Sequence, residues 1–281
     1  MGKKSKKIAV LTMARNDEFF LNRWVKYYGK IFGEDNLYIY LDGIDQKPPR
    51  GAGHANVTAV PKLGIKVVDA ENRRWGFMSD RAAELFKKYD LVIGTDADEF
   101  LVLDPNVEIT LPEYLSQKKI KTSLSPLGLD IAENFEKEQP FNTSRPFLEQ
   151  RSYALIHSRF TKSSIIAKPV RWGRGAHRIR GKNYHIDPNL FLFHFGNYDY
   201  QSVLAKMNHP DIIARNEVKH YKRNRLRIFN VVTKTKPRSE RWLGIARVIQ
   251  RITRNPFAWN KPKMLGFNWV IEIPKRFRKL V

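Results

Sequence analysis

The sequence predicts an α/β protein: a mostly parallel sheet flanked by helices, followed by a basic helical C-terminal extension. Short apolar runs typical of buried strands alternate with segments whose apolar residues recur at helical spacing. Polar residues follow three of the predicted strands, at Arg15–Asp17, Asp42-Gly43 and Asp96–Asp98. Because the carboxyl ends of parallel strands line the ligand crevice of such a sheet, we expect a binding site there.

The first hundred residues carry the clearest pattern. Predicted strands are Ile8–Met13, Leu37–Leu41, Ile65–Asp69 and Leu91–Thr95. The helix Glu18–Tyr28 follows the first strand, with Phe20, Leu21, Trp24, Val25 and Tyr28 on one face. Ser79 is a plausible N-cap for a second helix that runs to Tyr89. Together these elements predict parallel strands joined by helical crossovers.

After Phe100 the pattern becomes less regular. Thr110-Leu-Pro-Glu predicts a short capped helix, and the further predicted strands are Thr122–Ile131, Ser152–Ile156, Ser163–Val170 and Asn189–Phe195. Trp172–His177 is a glycine-rich loop, and from Tyr200 the pattern becomes helical. We therefore expect a catalytic domain over residues 1–205 and an extension over 206–281.

Composition restricts the class of protein. A content of 42% hydrophobic and 12% aromatic residues can support a sizeable core, which argues against global disorder. Without cysteine the chain has no disulfide framework and no thiolate metal site, which fits a reducing compartment. The apolar run Ile8–Met13 is too short for a signal peptide, and no stretch approaches 18 apolar residues. We expect a cytoplasmic protein, peripheral on the inner face of the cell membrane.

The formal charge of +23 is unevenly distributed. Residues 219–281 contain 18 Lys and Arg against two acids, a formal +16, which leaves +7 for the first 218 residues. This asymmetry predicts a polyanionic partner for the C-terminal end: anionic lipid, acidic glycan or nucleic acid.

The acidic run Asp96-Ala-Asp-Glu-Phe100 is the most informative motif. Extended residues alternate faces, so Asp96 and Asp98 point the same way and can share one hard cation. Mg²⁺ or Mn²⁺ held by one or two carboxylates keeps positions open for substrate phosphates. His194 ends an apolar face of the strand Asn189–Phe195, where a third metal ligand could lie.

Together these residues resemble the family-2-like glycosyltransferases of the GT-A fold, particularly a small bacterial branch with a DADEF-type motif. The resemblance covers roughly residues 7–200. It rests on Leu11–Glu18, Trp24, Tyr40–Gly43, Asp96–Phe100, Gln150-Arg151, Lys168-Pro169, Trp172, Gly175–His177 and Leu192–His194. The chain departs from the branch at Leu41 and Ile44, where the family has a second Asp and a Ser in the turn after the second strand.

The resemblance implies a GT-A domain that uses a nucleotide-activated sugar, a divalent metal (Mn²⁺ or Mg²⁺) and direct inversion at the anomeric carbon. It implies an acceptor that is a glycan or lipid-linked, as in cell-surface polysaccharide or lipopolysaccharide synthesis. Asp96 and Asp98 would lie at the metal and diphosphate. Residues placed near the nucleoside are Ala14, Arg15, Glu18 and Asp42.

Glycosyl transfer builds negative charge on the leaving diphosphate, so nearby cations would stabilise it. The candidate cations are Arg81, Lys168, Arg171 and Arg178, of which we favour Lys168. His177, in the glycine-rich loop, is a candidate ligand or substrate contact. Inversion also needs a base within reach of the acceptor hydroxyl. The candidate bases are Asp130, Glu149 and Asp187, of which we favour Asp130.

The tail contains a predicted amphipathic helix, Arg238–Ile252. Its apolar face holds Trp242, Ile245, Ala246, Val248, Ile249 and Ile252, with Arg247, Arg251 and Arg254 opposite. A basic amphipathic helix with Trp is typical of a membrane-surface element, and the alternative is a helix that packs on the domain with a solvated basic face.

Three other functions compete with this interpretation. Basic residues interleaved with aromatics would suit nucleic acid, although the acidic Asp96–Glu99 cluster lies where the sheet should bind ligand. A nucleotidyltransferase would also use carboxylate-held Mg²⁺, but Ala14–Asp17 lacks the expected glycines. The third is a GT-A scaffold that binds without catalysis.

Overall fold

The computed structural model describes residues 5–63, 67–179, 185–208, 210, 213, 218–253 and 267–281, with the backbone alone at 67–69 and 218–224. The strands are β1 (Ile8–Ala14), β2 (Leu37–Asp42), β3 (Asn56–Val60), β4 (Leu91–Gly94), β5 (Glu99–Leu103), β6 (Ser123–Ala132), β7 (Tyr153–Ile156), β8 (Ile165–Ile166), β9 (Ile186–Asn197) and β10 (Val270–Glu272). The helices are α1 (Glu18–Phe32), α2 (Val67–Leu85), α3 (Leu111–Gln117), α4 (Phe147–Gln150), α5 (Tyr200–Met207), α6 (Val218–Lys234) and α7 (Arg241–Thr253).

The ten strands of the described residues form one mixed sheet, in the order β10-β7-β6-β8-β4-β1-β2-β3, with β9 pairing β6 and β5. The four strands β3, β2, β1 and β4 run parallel, as predicted for the first hundred residues. Beyond β4 the pairing is antiparallel except between β6 and β9. This arrangement confirms the predicted α/β class.

Helices cover both faces of the parallel strands, and β1 shows why. Val10 packs in a cluster with Trp24 and Tyr28 of α1, whereas Leu11 packs with Trp75 of α2. Successive side chains of a strand point to opposite faces, so an unbroken apolar strand needs a helix on each side. The parallel strands are therefore buried between α1 and α2, and only their ends are open to ligands.

The prediction was wrong about the segment between β2 and β4. The third strand is Asn56–Val60 rather than Ile65–Asp69; residues 64–66 lie outside the described part, and α2 begins at Val67. Half-exposed β3 is an edge strand with little apolar pattern, so its sequence gives a weak signal. Ser79 lies inside α2, where its hydroxyl donates to the carbonyl of Trp75 at 2.6 Å, and does not cap the helix.

Other predictions differ less. The capped helix is confirmed, because Thr110 and Glu113 of α3 form a reciprocal capping box. The strand predicted at Ser163–Val170 is limited to Ile165–Ile166, and β9 extends beyond both ends of Asn189–Phe195.

The C-terminal segment packs on the rest of the chain. β10 pairs with β7, and Arg276 makes a two-pronged ion pair with Asp104 at 2.7 and 2.8 Å. The division at residue 205 stays a prediction. None of the helices in the described ranges has the length and apolar character needed to cross a bilayer.

Candidate functional site

The candidate site is centred on the acidic turn between β4 and β5, residues 95–99. Two contacts fix this turn. The indole Nε1 of Trp24 on α1 donates to Thr95 Oγ1 at 2.9 Å, and the amide of Asp96 donates to Glu99 Oε2 at 3.1 Å. The side chain of Glu99 is fully buried, whereas those of Asp96 and Asp98 are about one-fifth exposed. Both aspartates are partly exposed, but they lie in a turn rather than in an extended strand and contact different partners, so their shared orientation towards one cation stays a prediction.

Asp96 is held by two cations. Its Oδ1 lies 2.7 Å from Arg74 Nη2 on α2, and its Oδ2 lies 2.6 Å from Lys162 Nζ. Burial alone would raise the pKa of Asp96, but Arg74 and Lys162 hold it well below its usual range. Both carboxylate oxygens of Asp96 are thus engaged by protein cations.

Lys162 also lies 2.6 Å from Glu99 Oε1, and its side chain is only 2% exposed. Burial raises the pKa of Glu99 to about 7, against the attraction of Lys162. Burial lowers the pKa of Lys162, but Asp96 and Glu99 outweigh it and raise that pKa overall. The ammonium therefore stays charged between two carboxyl groups.

Asp98 faces a different partner, His194 of β9. Asp98 Oδ2 lies 3.3 Å from His194 Nε2, and His194 Nδ1 lies 2.6 Å from Asp130 Oδ1 on β6. The ring of Phe160 stacks on the imidazole at 3.8 Å between centroids. Burial lowers the pKa of His194, but Asp98 and Asp130 outweigh it and raise the pKa to about 9. His194 is thus an imidazolium that donates a proton to a carboxylate on each side.

A cavity of about 270 Å³ opens beside this turn, at the carboxyl ends of β1 and β2. It is lined by Ala14, Asn16, Asp17, Glu18, Leu21, Leu41, Asp45, Gln46, Lys47 and Pro49. Its volume is near the lower end of the ~300–1,000 Å³ range of small-ligand pockets.

Arg15 holds Asp45, which lines the cavity. Its guanidinium donates to the carbonyl of Asp42 at 2.8 Å and to both carboxylate oxygens of Asp45 at 2.9 Å. Gly43 permits this clamp, because its φ is +134° and an added Cβ would lie 2.2 Å from Arg15 Nη1 and from Asp45 Oδ1. Asp42 accepts from the amide of Leu63 at 2.8 Å.

Asp17 connects the cavity with the acidic turn. It lines the cavity at the start of α1, and its carboxylate lies 3.4 Å from Lys206 Nζ on α5. Burial raises the pKa of Asp17; Lys206 opposes this, and the negative charge of Asp98 adds to it. Because β1 pairs with β2 on one side and with β4 on the other, the cavity at the ends of β1 and β2 and the turn after β4 lie at the same edge of the sheet.

The donors of this cleft fit a divalent cation in part. Asp98 and His194 offer an oxygen and a nitrogen side by side, and Asp130 holds the far ring nitrogen of His194, which is the usual outer partner of a metal-ligating histidine. Asp96 is turned to Arg74 and Lys162 instead. Within the described ranges, no three His, Cys, Asp or Glu side chains are grouped so that they could hold a metal. Asp98 and His194 are the pair that would hold Mn²⁺ or Mg²⁺, and the imidazolium would have to release its Nε2 proton to do so.

No protein-family model matches the sequence, and no curated protein matches it. Among solved structures, the chain is similar to the mannosyltransferase PcManGT from Pyrobaculum calidifontis, determined in complex with GDP-Man and Mn²⁺. The alignment covers 78% of this chain and 70% of that chain, with 9% sequence identity and a TM-score of 0.36. At that TM-score and identity, the likeness carries no argument about the function of this chain.

Of the three predicted bases, only Asp130 contacts the site. It is fully buried behind His194 and also accepts from Asn197 Nδ2 at 3.1 Å. Glu149 lies on α4 and pairs with Arg145 at 3.7 Å. Asp187 is buried at the opposite end of β9, where Tyr114 and Lys118 satisfy it.

Two of the four predicted cations pair with carboxylates outside the acidic turn. Arg81 pairs with Glu84 at 2.8 Å on α2, and Arg171 pairs with Asp80 at 2.7 Å on the surface. Lys168 is exposed, and Arg178 is buried. The cations that do reach the acidic turn are Arg74 and Lys162.

His177 lies closer to the site. Its Nδ1 lies 2.6 Å from the carbonyl of Arg159, to which it donates. Burial, and then Lys162, lower the pKa of His177 to about 3, so the ring is neutral. His177 therefore offers its other nitrogen as an acceptor.

Sequence reasoning missed Arg74, Lys162 and Lys206. Arg74 lies in a part of α2 that the sequence analysis assigned to neither a strand nor a helix, and Lys162 lies in a segment without periodic pattern. The position of Asp17 could be predicted, because it follows the first strand. It lies at the carboxyl ends of the parallel strands, where polar residues were expected to converge.

Proposed function

We propose that this chain is a glycosyltransferase that moves a sugar, with inversion, from a nucleotide-diphosphate donor to a glycan or lipid-linked acceptor. One observation carries the proposal: a cavity at the carboxyl ends of β1 and β2 and the acidic turn after β4 lie at the same edge of the sheet, because β1 pairs with both β2 and β4. In open α/β sheets, nucleotides bind in the crevice outside the carboxyl ends of the strands. The nucleoside would occupy the cavity, with Ala14, Arg15 and Glu18 around it, and the diphosphate would reach the turn.

In the reaction, the bond between the anomeric carbon and the diphosphate oxygen breaks as a bond to the acceptor hydroxyl oxygen forms. The hydroxyl proton passes to a base, and negative charge develops on the diphosphate. Arg74, Lys162 and Lys206 surround the aspartates of the cleft and oppose this charge. A divalent cation held by Asp98 and His194 would supply further positive charge to the same oxygens.

Asp130 is, in this proposal, a positioning residue. It does not face the cleft itself but fixes the ring of His194 through Nδ1. That contact settles which nitrogen faces Asp98, and it keeps the imidazole charged when no cation is bound.

A thermal-shift screen tests donor binding. We expect one class among UDP-, GDP-, CMP- and dTDP-sugars to raise the melting temperature, because ligand binding to the native state stabilises it by mass action. Ala14→Leu fills the cavity and should remove this effect, whereas Ala59→Leu, on the exposed edge strand β3, should keep it. Stabilisation by nucleoside triphosphates alone would favour a nucleotidyltransferase, and stabilisation by oligonucleotides alone a nucleic-acid-binding protein. Either result would overturn the proposal.

Metal binding has a separate test, by calorimetric titration with Mn²⁺. We expect Asp98→Asn and His194→Gln each to weaken Mn²⁺ at least roughly tenfold, and Asp130→Asn by about 10–100-fold. Asp96→Asn decides between two assignments. Because Arg74 and Lys162 already engage Asp96, we expect its loss to leave Mn²⁺ affinity within a few-fold. A loss equal to that of Asp98→Asn would restore Asp96 as a ligand, as predicted from the sequence.

We also propose that the chain belongs to the DADEF-type branch of family-2-like GT-A enzymes. Its role would be in bacterial polysaccharide or lipopolysaccharide synthesis, at the inner face of the cell membrane. The expected donor is then a nucleotide-diphosphate sugar, and the expected acceptor is a glycan or is lipid-linked.

A further inference from the structure

Helix α7 exposes an apolar stripe that nothing in the described structure covers. Leu243, Ala246 and Gln250 point inward and are buried. On the outer side, Ile245 is 37% exposed, Val248 58% and Ile252 75%. The spacing of these three residues places them along one side of the helix. The sequence had predicted one apolar face, but the structure divides the apolar residues between an inner and an outer face.

Basic side chains border this stripe. Arg241 and Arg251 are exposed on α7. Glu240, one of the two acids among residues 219–281, lies against Arg276, which reduces its negative charge at the start of the helix. The predicted Arg254 lies outside the described residues. The outer face of α7 therefore combines large apolar groups with positive charge.

The inner face fixes α7 to the body of the protein. Arg247, which the sequence placed on the solvated face, packs over the ring of Phe191 at 4.7 Å and donates to the carbonyl of Asp187 at 3.2 Å. Burial lowers the pKa of Arg247 to about 10, against the attraction of Asp187. The stripe thus lies on a helix that is already folded and oriented, so its exposure does not result from a detached tail.

We propose that the outer face of α7 is a docking surface for an anionic lipid bilayer. A helix of this kind lies in the plane of the interface, with its apolar side chains among the acyl chains and its arginines at the headgroups. The formal +16 of residues 219–281 complements the negative surface potential of such a bilayer. A second copy of this chain fits this face less well, because it would bring like-charged arginines together. Nucleic acid also fits less well, because it would leave the exposed isoleucines without an apolar partner.

Co-sedimentation of the full chain with vesicles tests this surface. We expect binding to phosphatidylcholine vesicles that contain 30% phosphatidylglycerol and much weaker binding to phosphatidylcholine alone. Ile252→Glu should weaken binding by roughly tenfold or more, because it removes an apolar group that the acyl chains would bury and adds negative charge. Ile44→Glu is the matched control, since Ile44 is 78% exposed and undergoes the same change in size and charge. It should bind as the wild type does.

The electrostatic part has its own variant, Arg241→Gln with Arg251→Gln. At about 1 kcal/mol for each basic residue near the leaflet, the pair should weaken binding on the order of 25-fold at low salt. Equal melting temperatures of all variants would show that they fold. Binding that Ile252→Glu and Ile44→Glu weaken equally would overturn the proposal. The proposal would also be overturned if the wild type bound no vesicles and instead formed dimers that Ile252→Glu converts to monomers. Equal binding of the wild type to neutral and anionic vesicles would overturn it as well.

Discussion

Lys162 places its ammonium nitrogen 2.6 Å from a carboxylate oxygen of Asp96 and, on its other side, 2.6 Å from Glu99. This buried cation lies between Asp96 and Glu99, next to the Asp96 and Asp98 pair at which the sequence predicted a metal. The turn is therefore stabilised by the chain's own charges before any ligand binds.

We expect Lys162→Met to lower the free energy of unfolding by ~3–5 kcal/mol, because it leaves buried carboxylates without their partner. The loss should be smaller at pH 5.5 than at pH 8, since Glu99, with a pKa of about 7, is protonated at the lower pH. Urea denaturation at both pH values measures this. Lys168→Met, an exposed lysine, should change stability by less than about 0.5 kcal/mol. Equal effects of the two substitutions would contradict the assignment.

His194 should make stability depend on pH above 7. Its pKa is about 9 in the folded protein against 6.5 for an ordinary histidine, so its contribution is complete below pH 6.5 and is lost as pH rises through 9. The full loss is on the order of 3 kcal/mol. The pKa of Glu99 is also raised, but that shift acts between pH 4.5 and 7, so it does not interfere above pH 7.5. Urea titrations from pH 7.5 to 9.5 with a chelator present should show this slope, and His194→Gln should flatten it.

Asp130→Asn should abolish sugar transfer while stabilisation by the donor nucleotide sugar persists. The substitution removes the carboxylate that holds His194 Nδ1 but leaves the cavity at β1 and β2 intact. Single-turnover transfer and thermal shift measure the two effects separately. Asp187→Asn is the control, a second buried aspartate of the sheet whose partners are Tyr114 and Lys118. It should cost stability but preserve turnover per folded molecule. Unchanged transfer in Asp130→Asn would remove Asp130 from the site.

Gly128→Ala should damage both fold and site. An added Cβ would lie 2.2 Å from the backbone carbon of Phe160, in the segment that carries both the ring stacked on His194 and Lys162. We expect a loss of about 1–3 kcal/mol or more. Gly244→Ala in α7 meets no atom within 4 Å and should stabilise by roughly 0.5–1 kcal/mol. Chemical denaturation of the pair measures both. A stable Gly128→Ala would contradict the described packing of β6.

The parts of the fold that the sequence predicted are those in which burial imposes a period. β1 and β4 are apolar on both faces because α1 and α2 cover them, and α1 shows its buried face directly. The prediction missed β3 because an edge strand needs no such pattern. The β-branched residues near Val67 favoured a strand where α2 begins.

The residues of the candidate site also divide into those that the sequence predicted and those that it did not. The acidic turn and His194 could be predicted because each ends a regular strand, and register brings them together through the pairing of β5 with β9. Arg74 and Lys162 could not, because the sequence offers no sign that a charged side chain is buried. A lysine is normally exposed, and only the tertiary structure places Lys162 between two carboxyl groups.

Strand β9 joins two surfaces with different tasks. At its beginning, the carbonyl of Asp187 anchors α7, and seven residues later His194 faces Asp98. At about 3.3 Å per residue, these points are separated by roughly 23 Å. In the proposed bilayer-bound state, an acceptor anchored in the bilayer under α7 would have to reach along β9 to His194.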